Sequence, residues 1–453
     1  MDSCGGQLVG PKPLTAFWGV RHATGMLKRV SLVVGVCVCF GLADRHTATQ
    51  SPTDEVRLIG VDGEAAKYWP RWRGPSCQGY VAGTNYTDTW SDTQNVQWRV
   101  KVPGVGHSSP IVWADRIFLT TATADGAKVS MLSYQRKDGR LLWETVVPTT
   151  GIEHVYPKNS RASATPTTDG ERVYASFGTH GLAAFDFAGK IVWQNKLGDL
   201  NNYHGSAGSP VLYKDRIFLY QDHRTTTIPS FVAAFDKLTG KVIWKKDRAA
   251  QVGWGTPVVI DAGDHDELIV SSQRRIHAYN PDTGDELWSV GGNMQEVIPT
   301  PVVGHGLVFC SSGRAGPTFA IRPGGRGDVT ETHVVWSSPK GSPFVPSPLV
   351  HGDYLYLIND MQSILTVFEA KTGKLMYQER LGTPVREGFS VSPVAVGNKI
   401  FFTNDNGETF VVEAGPAFKL LHVNRLNAFV LASPALVDGT WYWRTDTDLL
   451  AIR

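Results

Sequence analysis

A chain of 453 residues has room for three average domains or for one large repetitive one. Its 47 Gly and 26 Pro among 14 Trp, 14 Tyr and 19 Phe point to many short aromatic strands joined by tight turns, and exclude long helical bundles. With 44 Lys and Arg against 42 Asp and Glu the net charge of +2 excludes a nucleic-acid footprint and a membrane-surface sheath, while 42% hydrophobic residues exclude disorder.

The basic start Met26-Leu27-Lys28-Arg29 introduces the apolar run Val30 to Leu42, with Gly41 and Ala43 at the −3 and −1 positions of a signal cleavage site. Residues 1–43 therefore read as an upstream extension plus a signal peptide, with initiation at Met26. An uncleaved anchor is the alternative, for which 13 apolar residues are short. Export places the chain in the periplasm or cell envelope. Cys37 and Cys39 each follow Val, where a lipoprotein signal has a small residue, so no lipid anchor is expected. The polar stretch 44–67 has no period and predicts a flexible linker, leaving 68–453 as the folded unit. Cys77 and Cys310 read as isolated buried thiols. The 13 His never take a zinc spacing with cysteine, and no metal site is expected.

From there a repeat governs the chain. A small hydroxyl residue, Pro and a mostly apolar strand recur at Ser109-Pro110, Thr165-Pro166, Ser209-Pro210, Thr256-Pro257, Thr300-Pro301, Ser347-Pro348, Ser392-Pro393 and Ser433-Pro434. The mean step of about 46 residues is the length of one four-stranded propeller blade. A polar turn and a second strand follow most copies, as in Asp115-Arg116-Ile117-Phe118 and Asn398-Lys399-Ile400-Phe401. A third strand then leads through a Gly turn to a fourth bearing an aromatic: Trp143, Trp193, Trp244, Trp288, Trp336 and Tyr377. The seventh copy has lost the turn and the aromatic. The eighth stops with three strands, while Asn95 to Val100, carrying Trp98, is a fourth strand without a blade. Pairing the two closes the ring and removes an open edge. The expected fold is all-β: one eight-bladed propeller of four-stranded antiparallel blades, and a monomer.

The pattern Ala-x-Asp-x-x-Thr-Gly-x-x-x-Trp, complete at Ala234 to Trp244, resembles the tryptophan-docking motif of the pyrroloquinoline-quinone (PQQ) propellers. With Tyr68 to Pro75 and Gly106 to Pro110, residues from about Trp69 to Arg453 resemble the secreted PQQ-like repeat proteins of planctomycete-type bacteria. The resemblance implies that Trp98, Trp143, Trp193, Trp244, Trp288 and Trp336 are packing residues filling wedge-shaped gaps between blades. Quinoprotein alcohol dehydrogenases of this type also carry an adjacent Cys-Cys pair, a calcium held by Glu and Asn, and a catalytic Asp. The close cysteines here fall in the signal, so no cofactor is expected, and PQQ with calcium belongs to an alternative reading as an alcohol or sugar dehydrogenase. The similar BamB-type propellers of outer-membrane barrel assembly use the same ring without a cofactor.

Topology brings the loops before each Ser/Thr-Pro and after each second strand to one face, the top mouth of the channel. Candidate ligand residues there are His107, Asn159, Arg161, His204, Asp222, Trp254, Glu296, Arg386 and Glu387. His107 and His204 are expected to point inward. No catalytic residue is assigned. The Gly-rich run Pro323 to Gly327 lacks the ending of a phosphate loop and reads as a blade insertion. The expected function is a non-catalytic scaffold or binding protein, associated with the envelope, for a polar ligand or a protein partner and not for nucleic acid.

Overall fold

The computed structural model describes residues 56–81, 83–149, 151–249 and 251–453. The extension, the signal and the first half of the linker lie outside them. Eight antiparallel four-stranded sheets follow one another around a central channel. Blade 1 spans 111–147, blade 2 167–195, blade 3 211–248, blade 4 258–291, blade 5 302–338, blade 6 349–380 and blade 7 394–425, and blade 8 joins 435–452 to 96–101. In blade 1 the strands Arg116–Ala122 and Val129–Gln135 are buried almost throughout, whereas the outer strand Leu141–Val147 alternates. The middle strands are covered on both faces by neighbouring blades and so read as continuous apolar runs.

The ring closes as the sequence predicts. Val96–Lys101 pairs antiparallel with Asp448–Ile452, from Val96↔Ile452 to Lys101↔Asp448 with a bulge between Val96 and Trp98. Four outer-strand indoles reach the turn of the next blade. Trp143 Nε1 donates to the Phe187 carbonyl (3.0 Å), Trp193 to Lys237 (3.1 Å), Trp244 to Pro281 (3.1 Å) and Trp336 to Ala370 (2.8 Å). Trp98 lies over Gly139 of blade 1. Gly189, under Trp143, shows why the turn needs glycine: its φ is +92°, and a Cβ would sit 2.7 Å from the indole.

Two interfaces differ. Trp288 is buried among side chains of blades 4 and 5, but its Nε1 turns back to Glu267 of its own blade (2.9 Å). The usual turn is replaced in blade 5 by the Gly-rich insertion, whose Gly327–Asp328 segment pairs in parallel with the outer strand of blade 4. Blade 7 lacks its aromatic, and Trp90 from the segment before blade 8 takes its place, stacked on Phe401 (5.9 Å) and tilted against Trp441 (5.2 Å).

The described part of the linker is docked rather than loose, a departure from the expected flexible 44–67. Arg57–Leu58 pairs antiparallel with Val258–Asp261 of blade 4. Two residues of pairing are too short to leave a periodic signal. Cys310 is buried as expected, while Cys77 is only half-buried.

Residues 69–81 plug the channel from the end opposite the Ser/Thr-Pro loops. Trp69 bridges Val112 of blade 1, the Pro70 carbonyl accepts Thr168 N of blade 2 (2.9 Å), and Gln78 Oε1 accepts Val303 N of blade 5 (2.7 Å). Arg73 Nη1 donates to the Pro348 carbonyl beside blade 6 (2.7 Å), and Tyr80–Val81 pairs with blade 7. Arg71 and Arg73 are buried on carbonyl acceptors. Burial pulls the Arg73 guanidinium down to about 9.

Candidate functional site

The repeat's hydroxyl residues build the site. Ser109 N donates to Thr165 Oγ1 (3.0 Å), Thr165 N to Ser209 Oγ (3.0 Å), Ser209 N to Thr256 Oγ1 (3.2 Å) and Thr256 N to Thr300 Oγ1 (3.3 Å). Thr300 N, Ser347 N and Ser392 N continue to Ser347, Ser392 and Ser433, each at 3.0 Å. Seven of the eight repeat backbone N–H groups at the channel wall are thus satisfied by the next blade's side chain, which a small apolar residue at that position cannot do. The result is a relay of seven links around eight blades.

Above this ring is a cup of about 340 Å³. Trp72 of the plug reaches its floor and donates from Nε1 to Thr300 Oγ1 (3.3 Å). One wall is aromatic. His204 packs against Tyr203 (4.3 Å between centroids), Tyr156 (4.9 Å) and Trp254 (5.1 Å). Trp254 is fixed by its Nε1 bond to the Gly205 carbonyl (2.9 Å), and Asn159 Nδ2 holds the same loop through the His204 and Ser206 carbonyls (2.7 and 3.1 Å). Across the cup Arg314 lies over Phe344 at 4.5 Å.

The candidate residues divide. His107, Asn159, His204, Trp254, Arg386 and Glu387 line the cup. Glu296 stands behind the wall, where it accepts from the Tyr203 hydroxyl and from Arg314 Nε, with His204 Nε2 at 3.8 Å. Burial alone would raise its carboxyl, but Tyr203 and Arg314 hold it below the usual range. Arg161 turns away and donates from Nε to the Glu153 carbonyl (2.7 Å). Asp222 lies behind Trp254 at a separate cavity of about 20 Å³, 3.6 Å from Arg248 Nε. Burial pushes its carboxyl up to about 6 against the pull of Arg248. Burial disfavours the charged form of both histidines: it takes His107 down to about 4, with Arg444 and Lys158 adding to it, and it lowers His204 against the opposing Glu296.

Sequence reasoning missed Trp72, Tyr156 and Lys158. Lys158, in the loop before blade 2, crosses the mouth to Asp405 Oδ2 of blade 7 (2.8 Å) and to the Glu387 carbonyl. It separates the cup from a shallower cavity of about 240 Å³ beside Asn404 and Asp405. A second buried acid, Asp360, accepts Phe344 N at 2.6 Å, and burial pushes it up to about 7. The repeat's own Ser and Thr were the legible signal for the floor.

The resemblance to quinoprotein alcohol dehydrogenases implies an adjacent cysteine pair, and a calcium beside the quinone needs converging oxygen ligands with carboxylates among them. Among the described residues no three His, Cys, Asp or Glu converge, and Cys77 and Cys310 are separate. Glu296 is engaged by Arg314, and Glu387 has Arg386 at 3.9 Å. The residues present do not fit that group.

A solved BamB from Moraxella catarrhalis superposes with a TM-score of 0.58 at 13% identity, covering 78% of this chain and 95% of that one. A quinohemoprotein alcohol dehydrogenase from Pseudomonas putida gives 0.61 at 12% identity, covering 87% and 82%. At these identities the likeness is one of fold. Tetrathionate hydrolase of Acidithiobacillus ferrooxidans is 22% identical over 345 residues, 72% of this chain, which spans 56% of that curated relative's length. The family model described as outer membrane protein assembly factor BamB matches residues 78–225 and 230–452. With this match running through all eight blades, the chain belongs to that family of PQQ-like repeat propellers.

Proposed function

We propose that the chain is an exported binding or scaffold propeller that captures a polar ligand, or a polar segment of a protein partner, in the top-face cup without performing chemistry on it. The observation that carries this reading is the cup itself: floored by Trp72, ringed by hydroxyls and walled by Tyr156, His204 and Trp254, it combines apolar faces with few, fixed polar groups. Burial lowers the pKa of both its histidines, and neither is aligned with a carboxylate at hydrogen-bond distance as an acid–base pair requires. The family's description as an assembly factor favours a protein partner at the envelope.

Intrinsic Trp fluorescence of the full chain, with Trp72 and Trp254 as reporters, tests the reading against neutral oligosaccharides and short peptides. Saturable binding that weakens about fivefold in Tyr156→Ala, a 45% exposed side chain, is the expected result. Alcohol-dependent dye reduction on adding PQQ and calcium would overturn the non-catalytic reading.

A further inference from the structure

The relay leaves a set of donors with nothing in the protein to receive them. The oxygens of Thr165, Ser209, Thr256, Thr300, Ser347 and Ser392 each accept a backbone N–H, and all six residues line the cup. Among the described residues none of the six donates its own proton to a protein acceptor. Thr300 has both lone pairs taken, by Thr256 N and by Trp72 Nε1, and can only donate. Five of the six are at most 3% exposed, so these are buried O–H groups facing one shared space.

Three cations, Lys158, Arg314 and Arg386, and one carboxylate, Glu387, line that space, and each of these cations has a carboxylate beside it, in Asp405, Glu296 and Glu387. Arg444, wholly buried beneath His107, adds a fourth cation near the rim of the ring. A neutral ligand would use the hydroxyls as donors and acceptors alike. Seven of the twelve hydroxyl lone pairs in the ring are taken, so six free O–H donors face the cup with five lone pairs left, a balance that favours a group that only accepts.

Resting on the reading of the cup as a binding site, we infer that the hydroxyl ring is an oxyanion floor, and that the captured ligand or partner segment presents a sulfonate, phosphate or carboxylate group to it. Charge-assisted bonds from several O–H groups are the stronger class of hydrogen bond, and the ring supplies them without placing a cation at the bottom.

Methanesulfonate, methylphosphonate and acetate, titrated into the full chain with Trp fluorescence as the readout, test this against dimethyl sulfone, which has sulfonyl oxygens but no charge. The anions are expected to saturate and the sulfone to give no change. Ser209→Ala and Thr165→Val should each weaken anion binding about tenfold, the worth of one charge-assisted hydrogen bond, while Thr165→Ser retains it. Ser433→Ala is the stability control: it removes one relay link, as Ser209→Ala does, at a residue off the cup lining, and should leave anion affinity unchanged. Equal response to the sulfone and methanesulfonate would overturn the oxyanion floor, as would equal weakening by S433A and S209A. Binding of neutral oligosaccharides with no response to any anion would sink the floor and leave the cup intact.

Discussion

The ring is held in two different ways. Around most of it, neighbouring blades are joined at the channel by one repeated bond, a backbone N–H to the next blade's hydroxyl. Between blades 8 and 1 that bond is missing, although residues 102–110 join the two blades: no backbone N–H among the described residues reaches Ser109 Oγ. A buried guanidinium stands there instead. Arg444 Nη1 donates to Thr120 O and Ser108 Oγ (both 2.8 Å) and lies 3.3 Å from Ser108 O. On the outer side of the same seam Arg136 of blade 1 reaches Tyr442 (2.8 Å) and Asp438 (2.6 Å). Seven interfaces carry the weak repeated link, and the eighth, beside the blade that the two ends of the chain close, concentrates stronger, less repetitive contacts.

The largest way to break this contrast is Arg444→Met, which keeps the stem but removes the buried guanidinium from its three acceptors on Ser108 and Thr120. A loss of about 4 kcal/mol is expected in denaturant unfolding, with the seam opening first in hydrogen exchange. Acid acts on the same corner through His107. Its folded pKa of about 4 lies below the ordinary 6.5, so between these values only the unfolded chain takes the proton. Stability is present above pH 6.5 and falls toward pH 4 by up to about 3 kcal/mol, and His107→Asn should flatten that slope in a series of melts.

Gly189→Ala tests an ordinary interface at its outer end, where strain at φ +92° and the clash with Trp143 should cost about 2 kcal/mol. The Gly327→Ala control, with positive φ but open space around its Cβ, should cost less than half of that. The smallest effect sharpens the comparison most. Ser392→Ala orphans Ser347 N and should cost about 1 kcal/mol, whereas Ser109→Ala, at the seam, should cost measurably less. Equal losses would mean that the relay contributes nothing specific.

The spacing of eight Ser/Thr-Pro pairs made the architecture legible, because one blade is one repeat and only a closed ring accommodates a stray strand at one end and three strands at the other. The reason for Ser or Thr, rather than any small residue, was not legible, since it depends on the neighbouring blade's backbone. The same limit explains the mixed record of the candidate site. His107, His204 and Trp254 occupy fixed places in the repeat and reach the cup as their phase implies. Arg161 sits in a comparable place but is claimed by the Glu153 carbonyl, and Asp222 by the space behind Trp254. Trp72 comes from a segment outside the repeat, whose path no periodicity encodes, and Lys158 from the loop before Thr165-Pro166, whose long reach across the mouth to Asp405 the repeat does not show.

The plug also bears on timing. Residues 69–81 are made before any blade, yet their docking partners are distributed over blades 1, 2, 5, 6 and 7, and the strand that 96–101 must pair with is the last to be synthesised. Neither can reach its place until nearly the whole chain is present, and loop closure over such separations is slow. The propeller therefore spends its assembly with an unsatisfied aromatic–arginine segment at one end and an open sheet edge at the other. That interval, rather than the finished ring, is when the molecule is most exposed to aggregation and proteolysis.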